Sequence, residues 1–588
     1  MTRRLLAYLS LAFILAIFAV FLLWPIYQIV RVAFFGVAAE GQPAVFTLGY
    51  FKAIFLDADL RRGLLNSAGI AIAVTFLCTL ISVPLALLSV RYDFRGKGAV
   101  SALLLVPLIL PPFVGAIGMR LILGRLGALT AIAQHLHFVA PGTPIDWFGN
   151  ARVVGVILVE ALGLYPILYL NVAAALANLD PAMEQAAANL GASRWTLFRR
   201  ITLPLMRPGL FAGGTIVLIW SFTELGTPLM FDYFDVTPVQ IFHRLTQITG
   251  NPLPYALVVV MLLGSALLYA VGKLSLGRTH DVAVSKATTS AAPSPLGGIK
   301  SLLALLAFAF VIALALLPHV GVILLSFSGV GAWYESAIPK VFTLGHYATA
   351  LTHDMTIPSI RNSVAFSAAS VAIDLVLGLT IAWLIVRSTL PGRRTIDSLA
   401  MLPLAVPGVV LAFGYLALSL QVQSWIGQYD KSHHTDHMWL RNLVDVTENP
   451  TALLIIAYAM RRLPYVVRSA VAGLEQAPRD LELAAQNLGA SAWLSLRKIT
   501  VPLIAANLVA GAMLAFAFAM LEVSDSIILA QRQQYWPITK AMYELVYRLG
   551  DGPYLACALG AWAMVLLTLT MLSANAFLGR RIGAMFRV

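Results

Sequence analysis

The sequence predicts an all-α membrane protein of about twelve transmembrane helices, arranged as two parallel repeats of six. Three observations support this fold class. Of the 588 residues, 60% are hydrophobic and only 11% are charged, which soluble domains do not tolerate. Apolar stretches of roughly 20 residues, the length that crosses a bilayer, recur along the chain. Motifs of the first half return in the second half at a nearly constant spacing, which indicates two copies of one unit.

Each half contains six apolar stretches long enough to span a membrane. Helices are expected, because inside lipid a helix satisfies every backbone polar group within its own segment. The predicted spans of the first half are approximately Leu5–Val30, Leu64–Val90, Ala99–Leu123, Val153–Ala177, Gly209–Phe231 and Tyr255–Leu274. Those of the second half are near Ser301–Leu325, Asn362–Val386, Ser398–Leu420, Thr451–Ala472, Asn507–Leu529 and Tyr554–Phe577.

Basic residues occupy alternate loops, which predicts the orientation of the spans because Lys and Arg are enriched on the cytoplasmic side. The loops that carry them contain Arg3 and Arg4, then Arg91, Arg95 and Lys97, then Arg194, Arg199, Arg200 and Arg207, and then Lys273, Arg278, Lys286 and Lys300. The second half follows the same pattern, so both termini are expected in the cytoplasm. The net charge of +13 is explained by this orientation and by contact with anionic lipids, and nucleic acid is not an expected partner.

The internal repeat extends over most of the chain. Phe46–Gly49 returns as Phe342–Gly345, 296 positions later (342 − 46). Later landmarks are displaced by 298 positions (522 − 224): Pro166 returns as Pro464, Gly191 as Gly489 and Glu224 as Glu522. Six spans per copy give both copies the same orientation, as in parallel repeats about an axis along the membrane normal. We expect a first half at residues 1–277, a second half at 301–588 and, between them, a cytoplasmic linker at 278–300 that is rich in Ser, Ala, Pro and Gly.

Two polar loops, at 180–208 and 477–506, carry nearly the same motif. Residues 184–193 read Glu-Gln-Ala-Ala-Ala-Asn-Leu-Gly-Ala-Ser, and residues 482–491 read Glu-Leu-Ala-Ala-Gln-Asn-Leu-Gly-Ala-Ser. A short helix is expected at the start of each loop, with Pro181 or Pro478 at its first position, where the missing N–H is harmless. The small residues that follow permit close approach by another protein. A helix lying on the membrane surface is the alternative for a single loop, but it would not require the same Gly and the same spacing twice.

These loops resemble the EAA motif of permease subunits in binding-protein-dependent ABC importers: Glu-Ala-Ala, three residues, Gly, nine residues, Ile-x-Leu-Pro. The residues expected to dock on a partner through this motif are Glu184, Ala186, Ala187, Gly191, Ile201 and Pro204, and Glu482, Ala484, Ala485, Gly489, Ile499 and Pro502. The Glu of the motif is Gln185 in one half and Leu483 in the other, with Glu184 and Glu482 one position earlier. This departure weakens any specific role for the Glu.

The resemblance covers nearly the whole chain and implies the transmembrane fold of a type I ABC importer with two fused halves, located in the inner (plasma) membrane of a bacterial cell. It implies that each loop forms a coupling helix seated in a groove of an ABC ATPase subunit. The implied partners are two copies of that ATPase and a solute-binding protein, periplasmic or lipid-anchored. The sequence lacks the Gly-x-x-x-x-Gly-Lys-Ser/Thr phosphate loop. ATP and Mg are therefore expected on the ATPase, with no cofactor and no covalent chemistry on this chain.

The cargo is expected to be ferric iron, because permeases with both halves in one chain resemble the ferric-iron type in particular. Residues Phe222–Pro228 also resemble a Glu-Phe-Gly-Thr-Pro stretch of iron and oxyanion permeases. Phosphonate, sugar phosphate, thiamine and polyamine are the alternatives for the same machine. An alternative of another class is an ion-coupled secondary transporter with Glu224, Glu522 and Asp374 as coupling carboxylates, which leaves the twin loops unexplained.

Four ionisable residues are candidates for the translocation path. Glu224 and Glu522 fall inside predicted spans, where a charge is costly unless it faces protein or water. Arg461 and Arg462 lie about ten residues into another span, or about 15 Å at the helical rise. Structural alternatives remain open: hydrogen bonding between helices for the glutamates, and arginine side chains that reach back to water near Pro464.

The predicted external loop at 428–437 clusters three histidines, His433, His434 and His437, with carboxylates. These residue types could hold a transition metal. No spacing in the loop fixes a coordination shell, so the main expectation is a solvated loop without metal.

Overall fold

The computed structural model describes residues 2–36, 45–109, 112–125, 127–148, 152–247, 251–276, 293–388 and 392–578, and these are predominantly helical. In the first half the helices are α1 Thr2–Phe18, α2 Trp24–Phe35, α3 Gly49–Leu56, α4 Ala58–Arg91, α5 Lys97–Leu103, α6 Val106–Ile109, α7 Pro112–Ile122, α8 Ala128–His135, α9 Val153–Ala177, α10 Pro181–Asn189, α11 Arg194–Leu197, α12 Leu203–Phe222, α13 Gly226–Met230, α14 Thr237–His243 and α15 Leu253–Leu276. In the second half they are α16 Gly298–Phe327, α17 Gly345–Ala350, α18 Thr356–Val386, α19 Arg393–Ala405, α20 Gly408–His433, α21 Met438–Val444, α22 Thr451–Gln476, α23 Arg479–Asn487, α24 Ala492–Ser495, α25 Val501–Met520, α26 Ser524–Leu529, α27 Ile538–Val546 and α28 Gly552–Leu578.

Ten helical segments of the described residues are long and apolar enough to cross a membrane, and a bent helix pair brings the number to eleven. They correspond to eleven of the twelve predicted spans. The bent pair, at 97–108 and 112–122, replaces the predicted straight span Ala99–Leu123 and turns by 95°. The predicted span Thr451–Ala472 is the 26-residue helix α22, which is long enough but carries several charged residues and so falls short on apolarity.

Two predicted spans are shorter than expected at the point where the glutamates lie. Helix α12 ends at Phe222 and α13 begins at Gly226, so Glu224 sits in a break rather than within a continuous helix. Helices α25 and α26 leave the same break around Glu522. Discontinuous helices of this kind expose backbone and side-chain groups at the depth where transporters bind ions and solutes.

The first long helix of each half packs against the other half. Helix α2 packs against α20 of the second half, and α16 packs against α7 of the first. Glycines permit these close crossings: a Cβ on Gly118 would lie 1.9 Å from the carbonyl oxygen of Pro318, and one on Gly414 would lie 2.9 Å from Pro25. A π-helical turn between α1 and α2, at Ala19–Leu23, leaves the carbonyl of Phe21 to accept a 2.7 Å hydrogen bond from the Tyr415 hydroxyl.

A short parallel pairing joins the end of the predicted linker to the first half. Strand β1, Tyr92–Asp93, pairs with strand β2, Ser294–Pro295, and the Leu296 N–H donates to the Asp93 carbonyl at 2.7 Å. Residues 277–292, which make up most of the predicted linker, lie outside the described residues, as do Arg580, Arg581 and Arg587 near the C-terminus. Helix α16 begins at Gly298, within the range predicted for the linker.

Candidate functional site

The first polar loop is a helix, a turn and a second short helix. Helix α10 begins after Asp180, whose side chain accepts the N–H of Ala182 at 2.9 Å, with Pro181 at the first helical position as predicted. Gly191 ends the helix with φ +82°, a conformation that favours glycine. Ser193 then caps α11 by accepting the Thr196 N–H at 3.2 Å. These residues define the ends of the two short helices in the loop between α9 and α12.

The second polar loop repeats this geometry with one difference in its first cap. Gly489 ends α23 with φ +91°, and Ser491 caps α24 through the Leu494 N–H at 3.2 Å. Pro478, however, is the cap residue that precedes α23, so the prediction that it occupies the first helical position is wrong. The first helical residue is Arg479, because the 298-residue offset aligns Pro478 with Asp180 and not with Pro181.

Both loops present the same apolar side chains to their surroundings. Leu190 and Leu488 are 89% and 90% exposed, and Trp195 and Trp493 are 68% and 69% exposed. These nearly identical values identify two equivalent, uncovered apolar surfaces. A Cβ at Gly191 or Gly489 would meet no atom within 4 Å. Among the other predicted docking residues, Ala186, Ala484 and Pro502 are exposed, whereas Ala187, Ala485, Ile201, Ile499 and Pro204 are half-buried.

The two loop glutamates bind arginines of this chain. Glu184 accepts from Arg91, the last residue of α4, and from the Thr202 hydroxyl at 2.7 Å. Glu482 accepts from Nε of Arg387, just after α18, at 3.1 Å. The second ion pair is the more buried, with side-chain exposures of 9% and 12% against 32% and 24% in the first. The glutamates therefore fasten each short helix to the bundle.

The four predicted path residues line a single cavity. Glu224, Glu522, Arg461 and Arg462 surround about 80 Å³ of space between the two halves, together with Trp220 and Phe518 and with residues of α6, α7 and α9. Waters need about 10–15 Å³ each on this measure, so the cavity has room for several. The structure thus brings together side chains from α22, the α12–α13 break and the α25–α26 break.

The charges around the cavity form ion pairs within the second half. Nη1 of Arg461 lies 2.6 Å from Oε1 of Glu522 and 3.6 Å from Oδ2 of Asp525. Arg462 donates to the other oxygen of Glu522. Among the described residues, the hydrogen bonds to Glu224, across the cavity, come from the Trp220 indole N–H at 3.2 Å and the Thr227 backbone N–H at 3.4 Å. The arginines are therefore held by carboxylates of their own half.

The first half has no equivalent of this cluster. Its counterparts of Arg461, Arg462 and Asp525 at the 298-residue offset are Gly163, Leu164 and Thr227. The packing around them is complementary: a Cβ on Gly163 would lie 2.7 Å from the Pro112 ring, whereas the guanidinium of Arg461 lies over Gly408, the counterpart of Pro112 at the 296-residue offset. In the first half the small residue Gly163 packs against Pro112, and in the second half the large residue Arg461 packs against Gly408.

Asp525 and Trp220 were not identified from the sequence as members of this site, because the search was for residues that the two halves share. Asp525 could have been found from a difference between the repeats, because the first half has the neutral Thr227 at the equivalent position. Asp374, a coupling candidate in the alternative transporter reading, is fully buried in α18 and does not line the cavity.

The histidine loop does not assemble a metal site. Nδ1 of His437 lies 2.6 Å from Oδ1 of Asp430, and the His433 ring stacks on Tyr429 with centroids 4.1 Å apart. His434 is the residue with φ +52° at the end of α20. Among the described residues, no group of three or more His, Cys, Asp or Glu side chains is arranged to hold a metal ion.

Comparison with known proteins identifies the repeat. The sequence profile described as "binding-protein-dependent transport system inner membrane component" matches residues 78–279 and again residues 374–583. The ferric transport system permease protein of Actinobacillus pleuropneumoniae is 26% identical over 521 residues, 86% of this chain and 69% of the relative. The molybdenum transport system permease protein of Escherichia coli is 33% identical over 169 residues, 28% of this chain and 69% of the relative.

Among solved structures, a bacterial alginate ABC transporter in complex with its pentasaccharide-bound periplasmic protein aligns with a TM-score of 0.37 and 19% identity, over 46% of this chain and 94% of the other. The two profile matches together cover more than half of the sequence, one in each half. This multi-pass chain therefore belongs to the family of binding-protein-dependent transport system inner membrane components.

Proposed function

We propose that this chain is the permease of an ATP-driven importer, with both halves of the translocation unit in one polypeptide and with ferric iron as cargo. The observation that carries the proposal is the pair of equivalent, exposed loops. Large apolar side chains left exposed close together favour a protein partner, and two equivalent sets favour two copies of the same partner. An ion-coupled secondary transporter does not require such loops.

The partner at each loop is an ABC ATPase subunit, which carries ATP and Mg. Leu190 and Trp195 in the first loop, and Leu488 and Trp493 in the second, supply the apolar anchors. The exposed alanines of α10 and α23, and the glycines that follow these helices, allow the ATPase surface to approach the helix backbone. Glu184 and Glu482 act indirectly, because they hold the helices on α4 and α18.

The loops lie on the cytoplasmic side, and so do both termini. The basic residues beside them, including Arg199, Arg200, Arg497 and Lys498, support this orientation. The membrane is the inner membrane of a bacterial cell. A solute-binding protein delivers the cargo on the opposite face, as the family description indicates.

Ferric iron is favoured over an oxyanion by two observations. The ferric transport relative spans 86% of this chain, whereas the molybdenum relative matches 28% of it. The arginines at the central cavity are paired with Glu522 and Asp525, so they are not available to an anion. Hard cations such as ferric iron prefer oxygen ligands, and Glu224 offers the cavity a carboxylate that forms no ion pair with these arginines.

Charging both loops tests the docking proposal. Gly191→Asp combined with Gly489→Asp introduces a carboxylate into each approach surface, while the added side chains meet no atom of this chain. We expect loss of the ATPase subunit on co-purification and loss of ferric iron uptake, with normal membrane insertion. Gly142→Asp is the matched control, since Gly142 also has a positive φ and open surroundings. An ATPase that stays bound to the double variant contradicts the proposal.

A further inference from the structure

The two equivalent glutamates at the central cavity differ in their surroundings. Glu522 accepts from Arg461 and Arg462 and is only 4% exposed. Glu224 has no Lys, Arg or His nitrogen within 4 Å of its carboxylate among the described residues. Its hydrogen bonds come from two neutral donors, the Trp220 indole and the Thr227 backbone. Position in the repeat therefore does not determine what each carboxylate can bind.

The formal charges at the cavity leave one carboxylate uncompensated. Arg461 and Arg462 balance Glu522 and Asp525, all four of which belong to the second half. Glu224 remains, at the cavity wall contributed by the first half. An ionised carboxylate withdrawn from water without a counter-charge is costly, so the site favours a species that brings positive charge.

The neighbours of Glu224 reinforce this preference. Glu160 of α9 is buried one helix away and accepts from the Ser221 hydroxyl, while its other carboxylate oxygen has no hydrogen-bond partner. The cavity also contains aromatic and apolar walls from Phe113, Trp220 and Phe518. These walls supply no competing cation. An anion entering here would meet Glu224 and Glu522 in a confined space.

We propose, on the basis of the import function above, that Glu224 is the residue that contacts a hard metal cation as it passes between the halves, whereas Glu522 is a positioning residue for Arg461 and Arg462. A single carboxylate with water as co-ligand is a weak site. That weakness suits a path, because cargo must leave as readily as it enters.

Trp220 provides a direct readout, because its indole nitrogen lies 3.2 Å from Glu224. Terbium(III), a hard trivalent cation, emits when an excited tryptophan lies beside it. In the purified complex of this chain with its ATPase, we expect saturable terbium emission that Trp220→Phe removes and Trp425→Phe, at an exposed site of α20, leaves unchanged. Glu224→Gln, which keeps the size and removes the charge, should abolish the emission and lower ferric iron uptake at least tenfold. Glu224→Asp should restore part of both.

Glu522→Gln is the comparison that separates the two roles. It should weaken the folded complex, while terbium emission per folded molecule persists. Terbium emission or iron uptake that survives Glu224→Gln at the wild-type level overturns the proposal. Absence of ferric iron uptake by the wild-type complex is a separate outcome: it contradicts the proposed cargo, and the terbium measurement still decides whether Glu224 binds a cation.

Discussion

The twin polar loops of the two halves match closely, whereas the residues around the central cavity do not. Leu190 and Trp195 are as exposed as Leu488 and Trp493, and both short helices end at a glycine with positive φ. At the cavity, one half supplies Arg461 and Arg462, with Asp525 paired to Arg461, and the other has neutral residues at the same repeat positions. Under the proposed function, the difference means that symmetry is retained where two copies of one partner would dock and is lost where a single cargo would pass.

The largest expected effect comes from removing the anion that holds the asymmetric cluster. Glu522→Ala leaves the buried Arg462 without its carboxylate partner and leaves Arg461 with only the longer contact to Asp525, and loss of one partner from a buried ion pair costs about 3–5 kcal/mol. Glu224→Ala, the matched change in the other half, loses hydrogen bonds from neutral donors worth about 1 kcal/mol. Thermal unfolding of the detergent-purified variants measures the difference. Equal destabilisation would show that the halves are energetically alike at the cavity.

The helices that pack against the opposite half give a second large effect that should be shared by both halves. Gly118→Leu places a side chain against the Pro318 backbone, and Gly414→Leu places one against Pro25. Overpacking of this kind costs about 1–3 kcal/mol, and more where backbone must move. We expect reduced folded yield for both, with Gly118→Leu the worse because the contact is with backbone. Fluorescence-detected gel filtration of the two variants, beside Gly142→Leu as an exposed control, checks the order.

The arginines behind the loops should produce an intermediate and unequal effect. Arg387→Ala removes a nearly buried partner of Glu482 and a 2.9 Å hydrogen bond to the Ala477 carbonyl. Arg91→Ala removes a more exposed partner of Glu184, and solvent-exposed ion pairs are worth about 0–1 kcal/mol. ATPase affinity should therefore fall more for Arg387→Ala. A larger loss of ATPase affinity for Arg91→Ala would contradict the expectation that the Arg387–Glu482 pair holds its loop more strongly.

The smallest effect is expected at the histidine loop. Replacing His433, His434 and His437 together with Ala removes the His437–Asp430 pair, but no metal group depends on these side chains. Ferric iron uptake should stay within about twofold of the wild type, since changes at exposed sites usually alter stability by no more than about 0.5 kcal/mol. Uptake that collapses in this variant would move the cargo contact to the external loop.

The sequence was sufficient for the fold class and for the loops because their signals are local. Apolar length predicts a span, and Asp180, Gly191 and Ser193 are residue types that favour helix ends, where the structure has them. Two of the spans that differ from expectation do so for different reasons. The third changes direction by 95° between its parts at 97–108 and 112–122, and α22 tolerates its arginines because Glu522, sixty residues after Arg462, compensates them.

The orientation of side chains could not be read from the motif. Glu184 and Glu482 were expected to dock on a partner, and the structure adds that they bind Arg91 and Arg387, which lie at the ends of helices that the chain folds back against the loops. The apolar anchors had a signal in the twin Leu and Trp positions, but amphipathic patterning alone does not distinguish a lipid-facing side from a partner-facing side. The glutamate–arginine pairs join residues 93 and 95 positions apart, which a local motif does not encode.

The stoichiometry of the assembled complex tests the equivalence of the loops most directly. Native mass spectrometry of the complex should give two ATPase subunits per wild-type chain, because each half presents one equivalent docking surface. Leu190→Asp alone and Leu488→Asp alone should each yield complexes with a single ATPase subunit when nucleotide is absent. A wild-type complex with one ATPase subunit, or single variants that keep both, would contradict docking by two equivalent loops.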